Sequence, residues 1–582
     1  MSHTYLAVTI GPILKTLQKA RSTKELWAGS YFFSYLMKQI ARQFQKTHTF
    51  ISPVVSADND LIFESHGGAG LFPDRLIIKQ QLPTDFETLT DTCSQVLSDI
   101  AKLSLDVVNR QLRVDFYTTP VNYRRQYSLR LEQVATKDEL QTYLAKYLKI
   151  YALEATLGEG DNIRQVIDGH LGVLELQVPI VPPERVDYLS ALMRGIYGPQ
   201  GVGTFLLHDG FGPDHNRPFP SLIEIATDSF RYTDQANTYK GYLDDELSQA
   251  KARFSQLFRL GDNEELTLPS DDGLITKLKT LMGKAFKRRH KYIAIVQADG
   301  DGLGKVNEAI FNKRTTAEAE ILLRNLDERL LKFSTHAIKL IQNFGGRPVF
   351  LGGDDLLFFT PVAKNNLAES VFSLIKELSD TFDSHFTDNE FYYSDAGVQR
   401  PIRPRLSFGV SISYYKFPLF EALDQARHLL EGTAKKYPGK NALAFEVLKH
   451  SGQQFGTTFS KMGNVLTKQL PDLIANHTAT DSAFLSSVKH KLLTLEAVLI
   501  PILNQPERLK NFFDNNFDEP EHSASRAFLD KVAQMLHHAY QEATEAYGSI
   551  EPNNVPEKAI QMTYATLRWV QFLNQDDLSD DD

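Results

Sequence analysis

Two short acidic stretches contain the residue types that bind metal and phosphate: Ala298-Asp299-Gly300-Asp301-Gly302-Leu303-Gly304-Lys305 and Leu351-Gly352-Gly353-Asp354-Asp355-Leu356, about fifty residues apart. Each follows an apolar run of strand length, Tyr292 to Val296 before the first and Arg347 to Leu351 before the second. Leu356 to Phe359 reads as the returning arm of a hairpin, with Asp354 and Asp355 at its tip. Gly352 and Gly353 supply the unusual backbone angles of that turn and leave room for a ligand. If these strands are neighbours in one sheet, Asp299 and Asp354 converge. Carboxylates held so closely repel each other unless a cation lies between them, and hard oxygen donors open to water and phosphate suit Mg²⁺ or Mn²⁺.

The chemistry expected of such a site is nucleotidyl transfer, in which two metals roughly 4 Å apart activate a hydroxyl, hold an α-phosphorus in line and neutralise triphosphate charge. Asp299 and Asp354 are the expected metal ligands, Asp355 a third ligand or their supporting partner, and the Gly300 carbonyl a further donor. Asp301 belongs to the same nucleotide-binding stretch, although its side chain follows the glycine at which the strand ends and is the one expected to turn away from the metals. The turn Gly302-Leu303-Gly304 leads into a helix and offers free backbone N–H groups to phosphate. Lys435 and Lys440 flank the last turn of the same domain and are candidates for the outer charges of ATP.

The elements that must position these residues run in the order β-α-β-β-α-β between Lys291 and Val447, a ferredoxin-like arrangement shared by polymerase palms. The chain reads as α+β with four parts: 1–150, a βαβ-rich first copy of the same architecture; 151–290, a mainly helical linking domain; 291–450, the catalytic palm; and 451–582, a helical domain ending in an acidic tail. The first copy has Thr9-Ile10-Gly11-Pro12 where carboxylates are needed, so only the second is expected to be catalytic. Its expected strands include Leu112 to Tyr117, after a helix from about Asp85 to Leu105. The loop His208 to His215 holds a His-Asp pair but reads as a turn rather than a metal site.

Bulk properties agree with this division. At 582 residues the chain is too long for one core. With 42% hydrophobic and 23% charged residues and no apolar run near the ~20 residues that span a bilayer, no membrane contact is expected. The N-terminus lacks a signal-peptide layout. The single cysteine, Cys93, excludes an internal disulfide and a multi-cysteine zinc site, and the expected location is cytoplasmic. A net charge of −9 argues against wrapping nucleic acid over the whole surface, leaving local basic clusters, of which Lys284, Lys287, Arg288, Arg289 and Lys291 form the densest.

The palm segment resembles the GGDEF/palm nucleotide-cyclase superfamily. More specifically, Thr9 to Pro12 with Leu26-Trp27-Ala28-Gly29-Ser30-Tyr31, the segment Phe219 to Ala226, and Gly352-Gly353-Asp354-Asp355 together resemble the large signature subunit of type III CRISPR effector complexes, of the Cmr kind. The resemblance implies two palms, the second catalytic, in an enzyme that converts ATP into a second messenger when guide RNA captures a target transcript. The implied product is a cyclic oligoadenylate or an AMP adduct of S-adenosylmethionine. Implied partners are the other subunits of the ribonucleoprotein, through which guide and target RNA are mostly met. Many members begin with an HD nuclease domain and carry a four-cysteine zinc motif; neither pattern is in this sequence, so no DNase activity and no zinc are expected. Asp74 and Glu154 are the carboxylates that an acceptor pocket in the first palm would use. Rival expectations are a catalytically silent scaffold subunit of the same complex and a stand-alone nucleotide cyclase.

Overall fold

A computed structural model of the chain describes residues 3–55, 61–64, 66–126, 135–176, 187–195, 205–212, 219–256, 271–311, 315–388, 390–395, 398–476, 481–517 and 525–577. Pro213 to His215 of the loop His208 to His215 and the last five residues of the acidic tail lie outside them.

The first sheet is built from β1 (His3–Gly11), α1 (Thr23–Phe44), β2 (Thr49–Ser52), β3 (Arg75–Lys79), α2 (Asp85–Thr118) and β4 (Lys149–Leu157), with strand order β2-β3-β1-β4. All its pairings are antiparallel. Ser22 starts α1 by accepting the Glu25 N–H on its hydroxyl, which satisfies one of the donors a helix start leaves free. Two expectations change here. Leu112 to Tyr117 is the last part of the 34-residue α2, not a strand. Its local alternation mimics a period of two, but the buried positions Ile100, Ser104, Val108 and Val114 follow a helical stripe. In addition, β4 pairs along the whole of β1, so the first sheet runs past the expected boundary at 150 and is backed by α3 (Ile163–Glu175).

The second sheet comprises β5 (Tyr292–Asp301), α4 (Leu303–Phe311), α5 (Thr316–Phe344), β6 (Arg347–Gly352), β7 (Asp355–Pro361), α6 (Val371–Ser384), a small ribbon of β8 (Tyr392–Asp395) and β9 (Val398–Pro401), β10 (Arg405–Tyr414), α7 (Leu419–His428), β11 (Ala442–Leu448) and β12 (Gln454–Ser460). Its order is β12-β11-β10-β5-β7-β6. The four strands β10-β5-β7-β6 repeat the order β4-β1-β3-β2 of the first sheet, with the same antiparallel pairings. Tyr292 to Val296 of β5 are buried without interruption because the strand is central and covered on both faces. A Thr315–Glu318 capping box begins α5 and a left-handed Gly345 (φ 98°) ends it, turning the chain into β6. β12 was expected to be helix; Phe455 and Phe459 are buried on it, and it closes a hairpin with β11.

Between the sheets the chain is helical where it is described. His208 and Asp209 lie in the helix Phe205–Phe211, not in a turn, and Asp209 accepts hydrogen bonds from Tyr31 Oη at 2.7 Å and Lys38 Nζ at 2.9 Å. Asp209 is thus held as an anion by Tyr31 and Lys38. Trp27 is fully buried, donates to Gly68 O at 2.6 Å and stacks with Tyr31 and Phe219, which joins the first sheet to the segment starting at Phe219. The C-terminal part packs α8 (Asp481–Thr494), α9 (Arg526–Tyr547) and α10 (Val555–Asn574) against the second sheet, with Trp569 of α10 buried against Phe372 and Phe445. Among the described residues no helix is long and apolar enough to cross a membrane.

Candidate functional site

The β5–β7 ladder ends at Ala298–Leu356, and one step further Asp299 comes opposite Asp355. Antiparallel partners direct their side chains to the same face, so these two carboxylates share one side of the sheet end. Asp354 reaches the neighbouring Gly300 from the hairpin tip, on the other face of the strand end: a Cβ on Gly300 would lie 2.5 Å from Asp354 Oδ2 and 2.6 Å from Leu303 Cδ1, so only glycine admits this approach. Gly353 (φ 77°) makes the tight turn behind Asp354, and a Cβ on Gly352 would overlap the Phe350 ring.

The structure brings Asp299, Gly300, Asp354 and Asp355 to one end of β5 and β7 and then separates their carboxylates. Asp299 forms an ion pair with Lys435, both side chains about four-fifths buried. Asp354 turns the other way, lining a cavity of 230 Å³ between the two sheets together with Ser52, Arg75, Arg164 and Asp327. Among the described residues no three His, Cys, Asp or Glu side chains are gathered closely enough to hold a metal ion. The expected convergence of Asp299 and Asp354 thus holds for the strand ends that carry them and not for their carboxylates.

Burial raises the Asp354 pKa above the usual carboxylate range, opposed by hydrogen bonding from its own amide and that of Gly300. Asp355 is exposed on one side, yet desolvation in the cleft, followed by repulsion from Asp354, Asp74 and Glu431, pushes its pKa up to about 7. Burial, then repulsion by Lys440, lowers the pKa of Lys435. The left-handed Gly302 (φ 88°) leads into α4, and around Gly304 the space is open.

Asp301 does not face this cleft. It is buried, accepting from Ser407 Oγ at 2.5 Å and from the Asn441 amide at 2.9 Å, while the Ala442 amide donates to Ser407 Oγ. Direct nucleotide binding by Asp301 is therefore replaced by a fastening role: it pins the turn in which Lys440 (φ 56°) and Asn441 (φ 51°) adopt left-handed backbone.

Asp74 and Glu154 are not brought together. The Ile10 amide donates to Asp74 O, whereas Glu154 pairs with Leu6, four residues along the same strand and roughly 13 Å away. Asp74 instead faces Asp355, and Glu154 accepts from Gln80 on the outer edge. Arg164 and Asp327 were not anticipated. Arg164 donates to Ser52 Oγ and Asp327 Oδ1, each at 2.8 Å, across the cavity between the sheets. No local signal points to a pair separated by 163 residues.

The basic cluster at Lys284 to Lys291 is largely occupied by the chain's own C-terminus. Lys287 pairs with Asp576, Lys291 with Asp577 at 2.9 Å, and Arg289 Nη1 donates to Leu573 O at 2.8 Å. The acidic tail is thus docked as far as Asp577, and Lys287, Arg289 and Lys291 of that cluster are engaged within the chain.

A ferredoxin-like sheet in which an Asp-Gly-Asp strand end meets a Gly-Gly-Asp-Asp hairpin defines a palm-domain protein. Residues 292–444 match the family model "Cas10/Cmr2, second palm domain", and residues 5–86 match "CRISPR-associated protein Cmr2, N-terminal". These two segments are thus similar to Cas10/Cmr2 proteins, the Cmr-type signature subunits of type III CRISPR systems. It is 30% identical over 183 residues to the CRISPR system Cmr subunit Cmr2 of Pyrococcus furiosus, a match that spans 28% of this chain and only 19% of that relative. Among solved structures, the type III-B Cmr-beta complex bound to cognate target RNA is similar at TM-score 0.47 and 11% identity, covering 85% of this chain and 77% of the other. The Csm1-Csm4 cassette in complex with cA4 is similar at TM-score 0.45 and 11% identity, covering 98% and 70%.

Proposed function

We propose that this chain is a metal-dependent nucleotidyltransferase that converts ATP into a second messenger within an RNA-guided type III CRISPR complex. The first sheet and its helices act as a second palm without metal ligands. The observation that carries this reading is the abutment of the Gly352–Asp355 hairpin on the Asp299-Gly300 end of β5, at the one glycine that admits Asp354.

The donors suit a hard divalent cation in kind, and the ammonium of Lys435 now stands where cationic charge is needed beside Asp299. Asp299, Asp354, Asp355 and the Gly300 carbonyl would hold Mg²⁺ or Mn²⁺, which when bound supplies charge neutralisation to the triphosphate and acidifies the attacking hydroxyl. With such a cation held there, Asp299 would no longer need Lys435 as its counter-charge. Lys435, with Lys440 beside it, then turns to the outer phosphates, while the amides at the start of α4 meet their oxygens. The acceptor, a second ATP or S-adenosylmethionine, enters from the cavity between the sheets. Guide and target RNA act mostly through partner subunits, in the cytoplasm.

The test is to incubate the purified complex with ATP, Mg²⁺ and target RNA, with and without S-adenosylmethionine, and to resolve products by mass. A product that needs target RNA is expected. No product under any condition supports the silent scaffold instead. Full activity of the isolated chain without RNA supports a stand-alone cyclase.

A further inference from the structure

Away from the palm cleft, three cations crowd one junction between the β11–β12 hairpin and the C-terminal helices. Arg568 of α10 lies with its guanidinium 4.5 Å from the centre of the Phe455 ring, and Lys449 Nζ sits 6.0 Å from the centre of the same ring. Arg568 also donates to Gln454 O at 3.4 Å and Gln453 Oε1 at 3.3 Å. Lys489 of α8 donates to Gln571, one turn beyond Arg568 on α10. None of the three forms a salt bridge with a carboxylate among the described residues. This contrasts with the adjacent Lys279, Lys287 and Lys291, all matched to Asp576 or Asp577.

Desolvation, then repulsion from Arg568 and Arg288, pushes the Lys449 pKa down to about 8. Desolvation, then repulsion from Arg568 and Lys449, does the same to Lys489. Like charges that repel one another in a partly buried site lower the stability of the bare chain, and an anion entering between them relieves that repulsion. The rest of the lining is aromatic and amide: Phe455, Tyr564 at 5.7 Å from the Arg568 guanidinium, Gln453, Gln571, and the exposed His450 ring 4.6 Å from Tyr414. Planar groups with hydrogen-bonding edges beside unpaired cations suit bases next to phosphates, whereas a carboxylate-rich segment needs only the cations.

We propose that Lys449, Lys489 and Arg568 form a binding surface for the phosphodiester backbone of single-stranded RNA. The surface is separate from the palm cleft, so binding is read without turnover and stands whether or not the chain synthesises a product.

The test measures fluorescence anisotropy of a labelled, unstructured RNA oligonucleotide with the full-length chain, across a salt series. For the double variant Lys449→Gln/Lys489→Gln the affinity is expected to fall about tenfold at low salt. The slope of log K against log salt is expected to flatten by about 1.4, at ~0.7 for each phosphate of a single strand that is no longer neutralised. Its melting temperature is expected to equal or exceed that of the wild type, because repulsion has been removed. Arg568→Gln is the second variant, with the same expected loss of affinity. Unchanged affinity and salt slope in the folded double variant overturn the proposal. Equal competition by poly-glutamate also overturns it, assigning the surface to an acidic protein.

Discussion

Gly300 shows how much of the site depends on a single missing atom. A methyl group there would meet Asp354 Oδ2 at 2.5 Å and Asp354 Cβ at 2.9 Å, so the carboxylate must move by a large fraction of an ångström. Displacements of that size at a reacting centre cost on the order of a hundredfold in rate. Gly300→Ala is therefore expected to lower turnover about a hundredfold while the melting temperature stays within a few degrees; a variant with normal turnover contradicts the role given to Asp354. At this scale the sequence was informative where spacing and residue type coincide, as at Asp299, Gly300 and the hairpin. On side-chain direction it indicated only that Asp301 turns away from the metals, not which partners hold the side chains. That Asp301 turns back to Ser407 and Asn441, and that Asp299 meets Lys435, depends on residues more than a hundred positions away.

At the scale of elements, the turn carrying Lys440 is held by Asp301. Asp301→Ala leaves the Asn441 amide and the Ser407 hydroxyl without their acceptor, at a cost of about 1–3 kcal/mol. Because the turn positions Lys440, KM for ATP is expected to rise more than kcat falls. A lower kcat at unchanged KM is the result expected of a purely structural residue. A second element-level prediction concerns α9. Its buried Glu542 accepts the Ser460 amide at 2.7 Å and tucks against Gly463. Burial, outweighing hydrogen bonding from Ser460 and Val465 and aided by repulsion from Glu545, pushes its pKa up to about 7. Tyr437 and His538 line the same cavity.

The folded state thus holds the Glu542 proton more tightly than the unfolded chain. The resulting stability is complete below the ordinary glutamate range, near pH 4.5, and is lost as pH rises through 7. On the order of 3 kcal/mol is involved. Glu542→Gln is expected to melt at a similar temperature to the wild type at pH 5 and at a higher one at pH 8; no pH-dependent difference refutes the assignment. Element types followed from periodicity wherever it was long, as in α1 and α5. They failed at Leu112 to Tyr117, where a short alternation belonged to a helix, and at β12, where the alternating Phe455 and Phe459 were the available signal.

At the scale of the whole molecule, the two sheets are docked by contacts that no local pattern announces. Leu351 N donates to Gly70 O at 3.3 Å, Tyr5 Oη to Glu320 at 2.7 Å, and Arg164 bridges to Asp327 at 2.8 Å. Asp327 is buried, its pKa is raised first by burial, and Arg164 is the cation that offsets this. Arg164→Met leaves an uncompensated buried carboxyl and is expected to cost about 3 kcal/mol, seen as a lower midpoint in urea denaturation. An unchanged midpoint means that the bridge does not hold the sheets together. The repeated strand order was visible in the sequence for the first three strands of the first copy and not for the fourth, because β4 lies where helix was expected.

The most direct measurement compares wild type with Asp354→Ala/Asp355→Ala in the assembled complex, supplied with ATP, Mg²⁺ and target RNA, with products identified by mass spectrometry. The account predicts an adenylate-containing product from the wild type and none above background from the double variant, at equal folding and RNA capture. Product formed at the wild-type rate by the double variant would contradict it.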